Sequence, residues 1–75
     1  MDDVERAVTI QLNGKPRQIA DGLTISGLVR ELKLVDKMVV AELNGEIVHR
    51  SRFPETLLGP GDVLEIVHFV GGGQI

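Results

Sequence analysis

Two Asn-Gly dipeptides, Asn13-Gly14 and Asn44-Gly45, constrain the fold of this chain more than any other feature. Both central residues of a type I′ hairpin turn need a positive φ angle, and Asn-Gly adopts that conformation readily. The residues before the first dipeptide alternate between apolar and polar, which is typical of a half-buried strand. These residues are Val8, Thr9, Ile10, Gln11 and Leu12. The sequence therefore predicts one β-hairpin around each dipeptide.

One amphipathic helix is predicted between the two hairpins. The first hairpin returns over Lys15–Ala20, and Pro16 favours an edge position for this strand because proline has no ladder donor. After a turn at Asp21-Gly22, Thr24 stands where a helix N-cap is expected. The next residues repeat at helical spacing. The apolar stripe consists of Ile25, Leu28, Val29 and Leu32, and the polar side consists of Arg30, Glu31 and Lys33.

The second half of the chain predicts three more strands. Met38–Leu43 is nearly all apolar, which favours a central or doubly covered strand, and Glu46–Val48 returns from the second hairpin. We expect one helical turn within Ser51–Leu58, a tight turn at Gly59–Asp62 and a last strand over Val63–Val70. Two hairpins joined by one helical crossover predict an α+β fold, a β-grasp, in which a mixed sheet of four or five strands packs on one α-helix.

Composition argues against several classes of function. The 75 residues suffice for one small domain, and the absence of cysteine removes disulfides, thiol nucleophiles and thiolate metal ligands. With His49 and His68 as the only imidazoles, we expect no metal site. A net charge of −3 and the absence of Trp and Tyr argue against nucleic-acid binding. Since no apolar stretch reaches the length of a membrane span, we expect a cytoplasmic protein that does not bind membranes.

The last predicted strand leads directly into three consecutive glycines. The apolar run Glu65–Val70 passes without a turn signal into Gly71, Gly72 and Gly73. Glycine has no Cβ, so three in a row form a slim segment with free backbone rotation, which a narrow channel of another protein could admit. A frayed chain end is the alternative interpretation. We expect a single domain over residues 1–70 and a flexible C-terminal tail over residues 71–75.

The strand before the glycines offers a candidate docking surface. If Leu64 and Ile66 face the helix, Val67 and Phe69 lie on the opposite side of the sheet, where an exposed aromatic ring suits partner binding. The alternative is that Val67 and Phe69 complete the core beneath the long loop. The candidate partner-binding surface consists of Val67, His68, Phe69 and Val70.

The order and spacing of four segments match a known family: Leu12–Gly14, Val40–Val48, Gly61–Val67 and His68–Gly73. On these segments the chain resembles the ThiS/MoaD family of ubiquitin-like sulfur carriers, most closely its thiamine-biosynthesis branch. The likeness spans almost the whole chain from Val8 onward. No single segment is specific, but their order, spacing and terminal glycines together are.

This resemblance implies a carrier protein rather than an enzyme. In the family, an adenylyltransferase of the ThiF/MoeB type uses ATP to adenylylate the C-terminal glycine, and a sulfur donor enzyme then supplies the sulfur of a thiocarboxylate. A ThiG-type thiazole synthase receives that sulfur in the thiamine branch. Carried over to this chain, Gly73 is the modified residue, and Gly71 and Gly72 enter the partner's channel. The chain itself is expected to bind no cofactor and to be a monomer that forms heteromeric complexes.

Gln74 and Ile75 depart from the family pattern, because they follow Gly73 and hold its carbonyl in a peptide bond. Three explanations are open: a peptidase removes both residues, they are foreign to the natural chain, or the carrier function has been lost. We prefer removal, because the residues before them resemble the family throughout. Other functions also stay open, namely sulfur transfer for molybdopterin or another pathway, and a non-covalent β-grasp interaction module without tail chemistry.

Overall fold

The structure is a computed structural model that describes residues 6–69. Within this range the chain forms five strands and one α-helix. The strands are β1 Ala7–Leu12, β2 Lys15–Ala20, β3 Val39–Leu43, β4 Glu46–Val48 and β5 Val63–His68, and the helix is α1 Ile25–Glu31. The predicted domain boundary after residue 70 lies outside the described residues and stays a prediction.

All five strands belong to one mixed sheet with the order β2-β1-β5-β3-β4. β5 runs parallel to β1, and the other neighbouring pairs are antiparallel. Helix α1 packs on one face of the sheet through Ile25, Leu28 and Val29, which are buried in the core. This arrangement confirms the predicted α+β, β-grasp fold. Pro16 lies in β2 at the sheet edge, as its missing donor predicted.

Both Asn-Gly dipeptides form the predicted turns. The φ angles are +51° at Asn13 and +83° at Gly14, and they are +52° at Asn44 and +88° at Gly45. Positive φ at both central positions is the signature of the type I′ turn, whose twist matches the twist of the strands that it joins. The short-range sequence therefore determines the register of β1 with β2 and of β3 with β4.

The two turn asparagines also hold strand β5 in place. The side-chain oxygen of Asn13 accepts a hydrogen bond from the backbone N–H of Ile66 at 2.8 Å. The side-chain oxygen of Asn44 accepts one from the N–H of Val63 at 2.9 Å, and its amide group donates to Asp62 at 3.1 Å. Strand β5, which leads to the glycines, is thus attached to both hairpin turns by side chains.

The segment between β4 and β5 is irregular, yet it is bonded to the beginning of helix α1. The first N–H groups of a helix have no partner within the helix. Here the N–H of Ile25 donates to the carbonyl of Thr56 at 3.0 Å, and the N–H of Ser26 donates to the carbonyl of Phe53 at 3.2 Å. The side-chain oxygen of Thr24 accepts a hydrogen bond from the backbone N–H of Gly27 at 3.0 Å, which confirms Thr24 as the N-cap.

The same irregular segment contributes to the core. Phe53 is fully buried and is among the largest buried side chains of the described residues. It joins residues from β1, β2, β3, β5 and α1, so the core lies between the sheet, the helix and this segment. The buried core residues are Ile10, Ile19, Ile25, Leu28, Val29, Val39, Ala41, Phe53, Leu58 and Leu64.

Strand β3 lies inside the sheet between β5 and β4, which confirms the predicted central position. It is covered on one face only, because Val39 and Ala41 are buried whereas Val40 is exposed. The helix covers one face only, so an apolar run need not mean burial on both sides. The strand also begins at Val39, because Met38 ends a 3₁₀ turn over Asp36–Met38.

The predicted helical turn within Ser51–Leu58 is a 3₁₀ turn that begins one residue earlier, over Arg50–Arg52. The ring nitrogen Nδ1 of His49 accepts a hydrogen bond from the backbone N–H of Ser51 at 3.2 Å. His49 therefore caps the turn, and this capping side chain explains its earlier start.

Candidate functional site

The outer face of the sheet, opposite helix α1, exposes apolar side chains at the end of β5. Leu64 is fully buried and Ile66 packs against the core, whereas Val67 is 58% exposed and Phe69 is 50% exposed. The side chains of β5 thus alternate between the two faces as expected. The alternative in which Val67 and Phe69 complete the core is wrong.

Two further side chains extend this exposed area across the sheet. Val40 of β3 is 40% exposed and stands in register with Val67 of β5. Ile47 of β4 is 69% exposed and belongs to the same face. We call the surface formed by Val40, Ile47, Val67 and Phe69 the apolar patch. Exposed apolar side chains that are grouped in this way are typical of protein-binding surfaces.

An open groove of about 310 Å³ indents the patch. Its apolar wall includes Val40, Ile47 and Phe69, and its polar wall includes Lys37, His49 and Arg50. A second open groove of about 390 Å³ is lined by residues of β4 and reaches Arg52 and Thr56. The first groove adjoins the end of β5, so a partner side chain seated there would lie beside Phe69, the last described residue.

Charged residues lie at two levels along the strands of the outer face, one beside Phe69 and one in the row that also contains Ile47. Arg50 Nη1 donates to the backbone carbonyl of Lys37 at 3.4 Å, which brings these two residues together where β3 begins. We call them the basic rim. Glu42 and Glu65 stand directly opposite each other in the β3–β5 register, further from that end, and we call them the acidic rim. Like charges in direct register are unfavourable within a sheet.

The remaining predicted site residues divide into described and undescribed ones. His68 is exposed and stands in register with Val39, and the N–H of Phe69 donates to the carbonyl of Met38 at 2.8 Å. The chain is therefore paired with its neighbour up to Phe69. The other predicted residues, Val70, Gly71, Gly72 and Gly73, lie outside the described residues.

Two properties of residues 6–69 bear on metals and membranes. In this range no group of three or more His, Asp or Glu side chains is arranged to hold a metal ion. The helix of the same range is too short and too polar to cross a membrane. Neither observation concerns the tail.

Sequence analysis missed Val40, Ile47 and the two rims. Almost every residue of Met38–Leu43 is apolar, so the sequence pattern does not show which side chains face the helix and which face outward. One signal was present: Glu42 marks the outward face, and Val40 lies two residues earlier on the same face. The position of Val40 beside Val67 depends on the pairing of β3 with β5, which are distant in sequence.

A mixed five-stranded sheet on one helix, with an apolar patch just before a glycine run, defines a small β-grasp protein of the ubiquitin-like type. Comparison with known sequences makes the class specific, because the family model of the ThiS family matches residues 10–73. The chain belongs to the ThiS family. Its membership confirms the predicted resemblance, and with it the expectation of a small carrier protein rather than a catalyst.

Individual relatives agree with this assignment. The sulfur carrier protein ThiS of Bacillus subtilis (strain 168) is 46% identical over 65 residues, which cover 85% of this chain and 98% of the relative. A thiazole synthase of Magnetococcus marinus is 38% identical over 65 residues, which cover 87% of this chain but 20% of that longer protein. The crystal structure of thiamine biosynthesis protein ThiS from Geobacter metallireducens has a TM-score of 0.73 at 36% identity and covers 88% of this chain and 100% of its own.

Proposed function

We propose that this protein carries sulfur for thiamine biosynthesis on the carboxyl group of Gly73. A ThiF/MoeB-type adenylyltransferase joins this carboxylate to the AMP part of ATP and releases pyrophosphate. A sulfur donor enzyme then delivers sulfur at the sulfide level (HS⁻), which forms a C–S bond at the Gly73 acyl carbon, breaks the bond to AMP and leaves a thiocarboxylate. A ThiG-type thiazole synthase takes up that sulfur. Because the activation consumes ATP, we assign the cycle to the cytoplasm.

The observation that carries this proposal is the extent of the family match. The match ends at Gly73, the third glycine, and leaves out Gln74 and Ile75. The similarity to the Bacillus subtilis sulfur carrier covers nearly the whole of that relative. The end of the family match thus coincides with the residue for which we propose the chemistry.

The chemistry explains why a carrier of this kind needs both activation and glycine. A carboxylate is a poor electrophile, because its negative charge repels an incoming nucleophile and it has no good leaving group. Adenylylation supplies that leaving group, and the enzyme can stabilise the charge that develops during transfer. A glycine end has no Cβ, so an enzyme can surround the reacting carbonyl closely.

The described residues supply a surface for binding the two enzymes. The apolar patch ends at Phe69, the last described residue, whose N–H donates to the carbonyl of Met38, so the body of the domain fixes the chain at the end of the patch. Exposed aromatic and aliphatic side chains of this kind often provide most of the binding energy of an interface. We propose that the adenylyltransferase and the thiazole synthase both contact this patch.

Two observations favour the thiamine pathway over molybdopterin synthesis. The Bacillus subtilis and Geobacter metallireducens relatives both carry the name ThiS. A region of the Magnetococcus marinus thiazole synthase is similar to this domain, which supports a thiazole synthase as the receiving partner. If the thiocarboxylate form gave its sulfur to a molybdopterin synthase and not to a thiazole synthase, the molybdopterin pathway would be the better assignment.

The proposal requires that Gly73 become the last residue, and we propose that a peptidase removes Gln74 and Ile75. The mass of the protein isolated from its own cells should correspond to a chain that ends at Gly73, or to its thiocarboxylate. Persistence of both residues in cells that make thiamine through this protein would contradict this maturation step.

A reconstitution with purified components tests the carrier chemistry. The form that ends at Gly73 is incubated with ATP, the adenylyltransferase of the same organism and a sulfide source, and its mass is measured. We expect an adenylate, and then a product in which one oxygen is replaced by sulfur. The full 75-residue chain and a form that ends at Gly72 serve as matched controls, which should stay unmodified. If the Gly73 form binds the enzyme but is never modified, the non-covalent module is the better interpretation.

A further inference from the structure

We propose that the charge order of the outer face orients this carrier on its activating enzyme. The basic rim would contact carboxylates next to the enzyme's tail entrance, and the acidic rim would contact basic side chains further from it. This inference takes its partner from the proposed function. It adds the residues that select one orientation and the charge pattern that the enzyme surface must present.

The apolar patch cannot set the orientation alone. Apolar contact is non-directional and depends mainly on the area removed from water. A patch of four side chains could therefore bind an apolar enzyme surface in several orientations, which differ by a rotation about the axis normal to the sheet. Only one rotation directs the tail that follows Phe69 toward the reacting centre. A second, directional interaction is needed, and charges at the two levels of the outer face supply it.

The two rims are far enough apart to act as separate charges. The acidic rim includes Glu65, and the basic rim lies near Phe69, because the N–H of Phe69 bonds the carbonyl of Met38, next to Lys37. Phe69 comes four positions after Glu65 in extended chain, which is about 13 Å at the rise of a strand. The Debye length at physiological ionic strength is about 8 Å, so an enzyme charge near one rim is largely screened from the other.

Other charges near the basic rim do not cancel it. The carboxylate of Asp36 accepts a hydrogen bond from the hydroxyl of Ser26, which lies on helix α1 rather than on the outer face. Arg52 forms an ion pair with Glu55 at 2.7 Å. Arg50 donates instead to a neutral backbone carbonyl, a contact that leaves the guanidinium charge in place. This basic end is available for carboxylates even though the whole chain has a net charge of −3.

The acidic rim favours a basic contact for a separate reason. Glu42 and Glu65 stand in direct register on neighbouring strands, where two like charges repel each other. A basic side chain of the enzyme placed between them would relieve this repulsion as well as attract both carboxylates. The partner surface that fits this face therefore has an apolar area, carboxylates at the tail end and basic groups further from it.

The test inverts the order of the charges without changing their sum. The inverted variant combines Lys37→Glu, Arg50→Glu, Glu42→Lys and Glu65→Lys, so the net charge and the apolar patch are retained. Its affinity for the adenylyltransferase of the same organism is measured with the full chain by surface plasmon resonance, at low and at high salt. A milder variant neutralises only the basic rim, by Lys37→Gln and Arg50→Gln.

The matched control neutralises two exposed basic residues on the other side of the domain. Arg30→Gln and Lys33→Gln change the net charge as much as the milder variant does, but both residues lie at the end of helix α1, away from the outer face. Far-UV circular dichroism and urea midpoints report whether each variant is folded. If the inverted variant does not fold, the comparison of the two neutralised variants decides the question.

We expect the inverted variant to bind about tenfold or more weakly at low salt, chiefly through slower association, with a smaller difference at high salt. The variant with the neutralised basic rim should bind several-fold more weakly, and the helix control should bind like the natural chain.

Equal binding of the natural and inverted chains would overturn the inference. An equal loss of affinity in the helix control would overturn it as well. The mass assay reports on Gly73 independently. If Gly73 is modified normally but binding does not depend on the two rims, only this inference is contradicted. If binding depends on the rims but Gly73 is never modified, only the proposed function is contradicted.

Discussion

Replacement of Phe53 by alanine tests the conclusion that the irregular segment before β5 is part of the core. Phe53 is fully buried, and the other phenylalanine of the chain, Phe69, is 50% exposed on the outer face. A buried Phe→Ala change costs about 3–5 kcal/mol through lost transfer free energy and the cavity left behind. A domain of 75 residues is stable by about 4–11 kcal/mol. Phe53→Ala should therefore remove a large part of the free energy of unfolding.

Phe69→Ala is the matched control, because it removes the same atoms from a position where no cavity can form. We expect it to cost about 1 kcal/mol or less, since half of the side chain is already in water. Urea unfolding followed by far-UV circular dichroism is the suitable assay, because the chain has no Trp or Tyr. With a slope of about 1 kcal/mol per M, Phe53→Ala should lower the midpoint by about 3 M or more.

Equal urea midpoints for the two alanine variants would refute the reasoning about Phe53. If Phe53→Ala does not fold at all, Phe53→Leu keeps most of the apolar volume and should fold with an intermediate loss. A Phe53→Leu variant as stable as the natural chain, next to a Phe69→Ala variant that is strongly destabilised, would also reverse our assignment of the buried and exposed rings.

Three further predictions concern the backbone, and each is measured by the same urea titration. Lys33 has a φ angle of +65° after the end of α1, so Lys33→Gly should stabilise the domain by up to about 1 kcal/mol, and Lys33→Ala should give no gain. Thr24→Ala should cost about 1 kcal/mol through the lost helix cap, whereas Thr24→Ser should cost little; equal losses would contradict the capping role. Asn44→Ala should cost about 1–3 kcal/mol, because it loses the hydrogen bond to Val63 and places alanine at positive φ. Asn44→Gly relieves the φ strain and should cost less than Asn44→Ala, and the reverse order would count against this explanation.

The irregular segment between β4 and β5 shows where sequence reasoning about the fold stops. Its turn residues predicted a loop correctly, but nothing in its pattern indicated that Phe53 is buried or that carbonyls of the segment satisfy the first N–H groups of α1. Both features arise from contacts between parts of the chain that are far apart in sequence. A local pattern records preferences of neighbouring residues and carries no information about such contacts.

Short-range sequence by itself determined the hairpins, the helix and their order. Asn13-Gly14 and Asn44-Gly45 adopt positive φ angles that few other residue pairs tolerate, and Thr24 supplies an acceptor that the helix start needs. These conformational preferences depend only on neighbouring residues, so they can be predicted from the sequence alone. For β5 the sequence left open which side chains point outward, and the structure decided that Val67 and Phe69 do.

Only the tertiary structure decided which surface the candidate site comprises. The pairing of β3 with β5 brings Val40 beside Val67 and sets Glu42 against Glu65, and the hydrogen bond from Arg50 to the carbonyl of Lys37 forms the basic rim. The burial of one face by a single helix then leaves the other face open. Strand pairing across a long stretch of chain depends on the packing of the whole core, and for this reason the part of the patch on β3 and β4 and the charge order could not be predicted from the sequence.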